Sequence, residues 1–339
     1  MTAGPPPGPA VPPPGPVDPP PVPPFGARLA SAVAARGPLC VGLDPHRSLL
    51  QSWGLPDDVE GLRRFTDTCL DALAGHVAVL KPQMAFYERH GARGVAVLEK
   101  AVPAMRAAGA LVLLDAKRGD IGSTMDAYAE YLLARHPMQV DALTVSPFLG
   151  PGSLEPARAA AVRSGGGLFV LARTSNPDAG TFQHARVPTL SPEAALPLDA
   201  ALPPDTAPPP DAAAGERTVA QAVVDTVRGW NTPAWLVTDP PTTIEQFMAA
   251  GSGWDGSVGS FGVVVGATLH SLDVDLDGLR GPVLAPGLGA QGGSVADLHR
   301  LFGRARAVVP TVSRDVLGAG PGTAALRAAA DRWTADLTG

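Results

Sequence analysis

An eight-stranded parallel α/β barrel is the fold this sequence predicts, and three observations predict it. Apolar runs of four to six residues alternate with helical stretches eight times along the chain. The runs are continuous rather than alternating apolar with polar, as expected of strands covered on both faces. Polar or charged residues follow most of them, at the strand ends where α/β barrels gather their ligands. A doubly wound open sheet is the second choice, weakened because no GxGxxG follows the first run.

Residues 1–24 contain thirteen prolines and little but Pro, Gly, Val and Ala. Such a segment cannot bury enough apolar surface to fold and reads as an extended, disordered tail. From Phe25 a regular pattern begins, and residues 25–339 read as one barrel domain. After a short helix at Arg28–Ala35, strands are expected at Leu39–Leu43, Val77–Leu80, Ala110–Leu114, Val140–Val145, Gly167–Leu171, Phe261–Val265, Pro282–Ala285 and Ala307–Val312. Helical periodicity fills the intervals at Gly61–Ala74, Val95–Ala108, Thr124–Ala134, Leu154–Arg163, Arg217–Trp230, Thr243–Ala250, Val295–Phe302 and Thr323–Leu337. The spacing breaks between Leu171 and Phe261, where Val187–Gly215 is rich in Pro, Ala and Asp and reads as a disordered insertion in a βα loop. The Gly/Ser-rich stretch Gly251–Ser260 reads as a second mobile patch.

Composition narrows the function. With 339 residues, 45% of them hydrophobic, the chain can bury a sizeable core. A formal net charge of −6 argues against a nucleic-acid or anionic-membrane surface. No apolar run is long enough to span a bilayer, and the N-terminal segment lacks the basic and apolar regions of a signal peptide. The two cysteines, Cys40 and Cys69, read as buried thiols in a reducing, cytoplasmic compartment. The seven histidines show no metal-ligand spacing. Of 26 basic residues only Lys81, Lys100 and Lys117 are lysines. Arginine cannot release its proton, so lysine is retained where chemistry needs a donor. Lys81 and Lys117 both fall at the ends of expected strands.

The stretch Ala110–Leu133 organises the rest. Its apolar run emits four charges in six residues, Asp115, Lys117, Arg118 and Asp120. Ser123 with Asp126 reads as a capping box opening the next helix. Asp115 and Lys117, two apart, project to one side of the strand end. A charge run is commonly a solvated loop, but the order strand, charges, helix start has a mechanism. Other strands end in Asp44 and His46, Lys81 and Gln83, Ser146, Thr174 and Ser175, Pro286 to Gly293, and Ser313 and Arg314. Taken singly, Asp44 or Ser175 could be a turn or cap residue, and His46 reads as structural. Four glycines between Pro286 and Gly293 can expose backbone N–H groups to an anion and let the loop move. Arg314, past the last strand, can grip a phosphate with its fork, so a phosphorylated substrate is expected.

DAKRGDIGST (Asp115–Thr124), VGLDPH (Val41–His46), LKPQMAFYERHG (Leu80–Gly91), VLARTSNPDAG (Val170–Gly180) and APGLGAQGG (Ala285–Gly293) together resemble the orotidine 5′-phosphate decarboxylases, in the bacterial form carrying DAKRGDI. The resemblance runs from about Phe25 onward and leaves out the tail and the insertion. It implies cofactor-independent conversion of orotidine 5′-phosphate to UMP, the last step of pyrimidine synthesis, with no metal. It implies that Asp44 and Lys81 hold the ribose, that Asp115 destabilises the substrate carboxylate, and that Lys117 protonates the C6 carbanion. It further implies that Asp120, Ile121 and Thr124 reach the neighbouring site of a homodimer, that Ser175 bonds the pyrimidine amide, and that Gln291 and Arg314 hold the phosphate beneath the Pro286–Gly293 loop. The rivals are a Mg²⁺-dependent 3-keto-gulonate-phosphate decarboxylase or hexulose-phosphate synthase, a Schiff-base aldolase using Lys117, and a catalytically dead barrel acting as a scaffold. The sugar-phosphate relatives carry a carboxylate where this chain has Lys81, which favours the nucleotide enzyme. Carboxylates flanking an amine make it a poor nucleophile, which weakens the aldolase.

Overall fold

All eight apolar runs enter one closed sheet. The computed structural model describes residues 22–188, 216–231, 258–303, 305 and 307–339. Its strands are β1 (Cys40–Leu43), β2 (Val79–Pro82), β3 (Leu111–Arg118), β4 (Ala142–Val145), β5 (Gly167–Arg173), β6 (Arg186–Pro188), β7 (Glu216–Thr218), β8 (Phe261–Val265), β9 (Val283–Pro286) and β10 (Val308–Val312). The barrel closes in the order β1-β10-β9-β8-β5-β4-β3-β2, every neighbouring pair parallel. The fold is therefore a (β/α)₈ barrel, with all strand C-termini at one mouth.

Burial explains why the runs had to be continuous. Every residue of β1, β2, β4, β8 and β10 is buried, because one face fills the barrel and the other meets a helix. The helix Val59–Leu73 lays Leu62, Phe65, Cys69 and Leu73 on the sheet, and Asp58 caps it by accepting from the Gly61 N–H at 2.9 Å. The first helix, Phe25–Arg36, closes the barrel floor: Phe25 meets Phe169 edge-on at 5.9 Å between ring centres. Gly167 is required there, since a Cβ would lie 2.4 Å from the Phe25 ring. On the same floor Asp141, 2% exposed, takes hydrogen bonds from Arg28, from Arg106 Nε at 3.2 Å and from the Val112 N–H at 2.9 Å. These bonds satisfy a buried carboxylate that would otherwise be strongly unfavourable.

Three local expectations need correction. The helix after β3 spans Gly122–Ala129 and continues as a 3-10 turn, Glu130–Leu132. It starts before Ser123, its N-cap is Ile121, and no side chain caps it, so Ser123 and Asp126 do not form the expected box. The capping box is instead at Ser294 and Asp297, opening the helix Val295–Phe302. Val258–Ser260, expected to be mobile, are buried: the Gly259 N–H bonds the Arg280 carbonyl at 2.6 Å, and Ser260 Oγ accepts from the Gly26 N–H at 3.3 Å. Where an insertion was expected to begin, Val187 pairs with Arg217 in an antiparallel ribbon of β6 and β7. Residues 1–21, 189–215 and 232–257, which include most of the expected tail and insertion and the Thr243–Ala250 helix, lie outside the described residues.

Candidate active site

Strand β3 does not end where its apolar run ends. It continues through Asp115 to Arg118, and its pairing with β4 slips on the way: Leu114 faces Leu143, but Arg118 faces Val145. Asp115, Ala116 and Lys117 thus stand opposite the single residue Thr144, a bulge that re-aims side chains at the barrel rim. Lys117 adopts φ +48°, a left-handed conformation uncommon for a residue with a side chain. Its N–H leaves the backbone ladder and bonds Thr144 Oγ1 at 3.0 Å.

The bulge makes Asp115 the hub of the mouth. Its Oδ1 accepts from Lys117 Nζ at 2.6 Å and Thr144 Oγ1 at 2.9 Å. Its Oδ2 accepts from Lys81 Nζ and Gln83 Nε2, each at 2.9 Å. Burial alone would raise the Asp115 carboxyl, but the two ammonium groups outweigh it and hold the group well below the ordinary carboxylate range. Burial likewise would lower Lys81, and the carboxylates of Asp115 and Asp44 outweigh it and push the amine up. Both groups are therefore ionised at neutral pH inside a nearly dry wall, 7% and 5% exposed respectively.

A cavity of about 590 Å³ opens in front of this array. It is lined by Asp44, Lys81, Asp115, Lys117 and Thr144 from β1 to β4 and their ends, by Pro286, Gln291 and Arg314 from the ends of β9 and β10, and by the apolar Leu171, Val264 and Leu284. The rim loop folds tightly, with Gly287, Gly289 and Gly292 all at positive φ. A Cβ on Gly289 would sit 2.0 Å from Asp315 Oδ2, and that carboxylate also takes the Ala290 N–H at 3.1 Å. Two buried polar atoms, Asp44 Oδ1 and Ser313 Oγ, have no hydrogen-bond partner among the described residues. Both residues line the cavity, where a polyhydroxylated ligand would satisfy them.

Seven of the expected site residues thus share one cavity: Lys81, Asp115, Lys117, Asp44, Pro286, Gln291 and Arg314. Four do not line it. Asp120 turns its Oδ1 to the Ile121 N–H at 2.8 Å, while Ile121 and Thr124 are exposed beyond it. Ser175 is exposed beside Gly266, and its neighbour Thr174 lines the cavity instead. His46, expected to be structural, caps the helix Arg47–Ser52 through Nδ1, which accepts from the Leu49 N–H at 3.2 Å. It also borders the cavity. Sequence reasoning gave no role to Gln83 or Thr144. The available signals were a polar residue two past Lys81 and the one hydroxyl of the Val140–Val145 run.

A glycine-rich rim with Arg314 and a lysine–aspartate–lysine array lining one cavity, at the C-terminal mouth of a (β/α)₈ barrel, define a barrel enzyme for phosphorylated substrates. Known proteins narrow the class. Residues 37–199 match the profile described as the orotidine 5′-phosphate decarboxylase / HUMPS family. The orotidine 5′-phosphate decarboxylase of Salinispora arenicola is 51% identical over 92% of this chain and 96% of its own length. That of Streptomyces coelicolor is 51% identical over 93% and 97%. The crystal structure of a Streptomyces avermitilis chain ascribed the same activity superposes with a TM-score of 0.75 at 50% identity, covering 94% of this chain and 95% of that one. The chain belongs to the orotidine 5′-phosphate decarboxylase family.

Proposed function

We infer that the protein is a carbon–carbon lyase that decarboxylates orotidine 5′-phosphate to UMP, completing pyrimidine nucleotide synthesis. The observation that carries this reading is the Lys81–Asp115–Lys117 array, joined by bonds of 2.9 and 2.6 Å, lining one cavity with Gln291 and Arg314. Arg314 and Gln291 hold the phosphate, and Asp44 and Lys81 the ribose hydroxyls. The pyrimidine carboxylate is then pressed toward Asp115, whose charge is fixed by its lysines. The C6–carboxylate bond breaks, CO₂ leaves, and the electron pair remains on C6. Lys117 stabilises that pair electrostatically and transfers its proton to C6. Preorganised charge of this kind supplies more of the barrier reduction than any other single effect. Phosphate binding far from the reacting carbon offsets the unfavourable approach of two carboxylates. Ser175, next to the cavity-lining Thr174, is assigned to the pyrimidine amide.

The same reading makes the enzyme a cytoplasmic homodimer, with residues 25–339 as its catalytic domain. Asp120, Ile121 and Thr124 do not line their own cavity, which leaves them for a partner's site. Ile121 is 62% exposed, and Phe148 and Leu149 in the next mouth loop are 69% and 52% exposed. Apolar side chains so placed are suited to burial against a second copy. No described helix is long and apolar enough to cross a membrane, and both cysteines are free and buried.

Loss of orotidine 5′-phosphate absorbance with purified protein and no added metal tests the activity. Turnover is expected, unaffected by EDTA; a requirement for Mg²⁺ would favour the sugar-phosphate rival. Mixing inactive Lys117→Ala and Asp120→Ala chains tests the shared site. Recovery of about a quarter of wild-type activity is expected, because a symmetric dimer then rebuilds one intact site in each mixed pair. No recovery would refute sharing.

A further inference from the structure

We propose that Thr144 is a positioning residue for the decarboxylation, the group that holds Lys117 and Asp115 in reacting register. The inference rests on the catalytic roles given above to those two residues. Thr144 is 1% exposed and sits in the middle of β4, flanked by Leu143 and Val145. Its neighbours on β4 pair with β3 in the ordinary way, and Thr144 alone faces the bulge. A bulge leaves backbone groups without ladder partners, and a buried N–H without a partner is costly. The Thr144 hydroxyl repairs this by accepting the Lys117 N–H at 3.0 Å and passing its own proton to Asp115 Oδ1 at 2.9 Å. One hydroxyl thereby ties the backbone of the proton donor to the carboxylate beside it.

The tie matters because Lys117 sits at φ +48°. A side chain in that region needs outside support to stay there. Turned back toward an extended conformation, Lys117 would point its stem along the strand, and the 2.6 Å contact between its Nζ and Asp115 would be lost. The Lys117 side chain is itself 45% exposed, so packing does not hold it. Thr144 acts on the lysine through the backbone and on the aspartate through its carboxylate, the remaining acceptor capacity of which is filled by Lys81 and Gln83. The wall group therefore sets the geometry of the reaction without contributing a charge.

Steady-state kinetics of full-length Thr144→Val and Thr144→Ser, with UMP affinity measured alongside, test this. Val preserves the volume and removes the hydroxyl; Ser keeps the hydroxyl and removes the methyl. For Thr144→Val kcat is expected to fall roughly 10- to 100-fold, the effect of losing one hydrogen bond to a charged group. KM and UMP affinity are expected to stay within about twofold, since ground-state binding uses other residues. Thr144→Ser is expected to retain kcat within about threefold. A Val variant with wild-type kcat, or a Ser variant that loses as much as Val, would overturn the proposal. Should Thr144→Val fail to fold by circular dichroism, Thr144→Ala takes its place under the same criteria. Lys117→Ala measured in parallel separates the two inferences. Turnover surviving in it would sink the catalytic reading itself, whereas its loss beside an unaffected Thr144→Val would sink only the role of Thr144.

Discussion

Among the described residues two aspartates are buried, one at each end of the barrel, and they are built differently. At the mouth Asp115 is paired with Lys81 and Lys117. At the floor Asp141 is paired with Arg28 and Arg106 and with a backbone N–H. Both are nearly dry, and both take several hydrogen bonds. The cations differ in what they can do next. Guanidinium forks anchor a carboxylate permanently, while an ammonium group can give its proton away. This chain uses arginine almost everywhere, yet at the mouth it keeps two of its three lysines. The floor pair fastens the first helix to the sheet; the mouth pair is left able to react.

If that contrast is right, Lys117→Arg conserves charge and destroys function. Its kcat is expected to fall at least about a thousandfold, since an arginine cannot act as the acid. Its unfolding curve should overlay that of the wild type, and appreciable turnover would erase the distinction drawn between the two ends. Asp141→Asn is expected to do the opposite. Leaving Arg28 and Arg106 without their shared carboxylate should cost about 3–5 kcal/mol in urea unfolding. kcat of the folded fraction should be unchanged; a loss of kcat with no loss of stability would contradict the assignment of the floor to structure.

The pH dependence of stability sharpens the comparison. Asp115 lies below its ordinary carboxyl value of 3.8 in the folded state, so its contribution is complete above that value and is lost as pH falls through the lower folded one. Lys81 lies above its ordinary 10.5, so its contribution is complete below that value and is lost as pH rises through the higher folded one. The stability difference between wild type and Asp115→Asn should therefore be flat between about pH 5 and pH 9 and shrink in acid. A difference that grows in acid would reverse the sign. A smaller effect is expected at the rim: Gly289→Ala collides with Asp315 and should raise KM several-fold with kcat little changed, as read from saturation curves. Deleting residues 1–21 should change neither constant.

Much of this was legible in the sequence because the signals were local. Eight apolar runs marked eight strands, and the charges of DAKRGD placed Asp115 and Lys117 together. What escaped depended on contacts between distant segments. Thr144 owes its position to a slipped register between β3 and β4, which its hydroxyl in Val140–Val145 flags but does not explain. Asp141 was an unexplained charge inside the expected strand Val140–Val145 until Arg28, 113 residues away, arrived beside it. Ser123 and Asp126 had the spacing of a capping box, but the helix begins at Gly122 behind Ile121, which places both inside it. The ribbon of β6 and β7 is three residues on each side and too short to show a period. Asp120, Ile121 and Thr124, expected to act in a neighbouring subunit's site, do not line the cavity of their own chain.

A crystal structure of the protein with UMP bound tests the central claim most directly. The phosphate is expected between Gln291 and Arg314, and Lys117 Nζ within about 3–3.5 Å of pyrimidine C6, the separation a proton transfer needs. A nucleotide bound with its base turned away from Asp115 and Lys117, or seated outside this cavity, would contradict it.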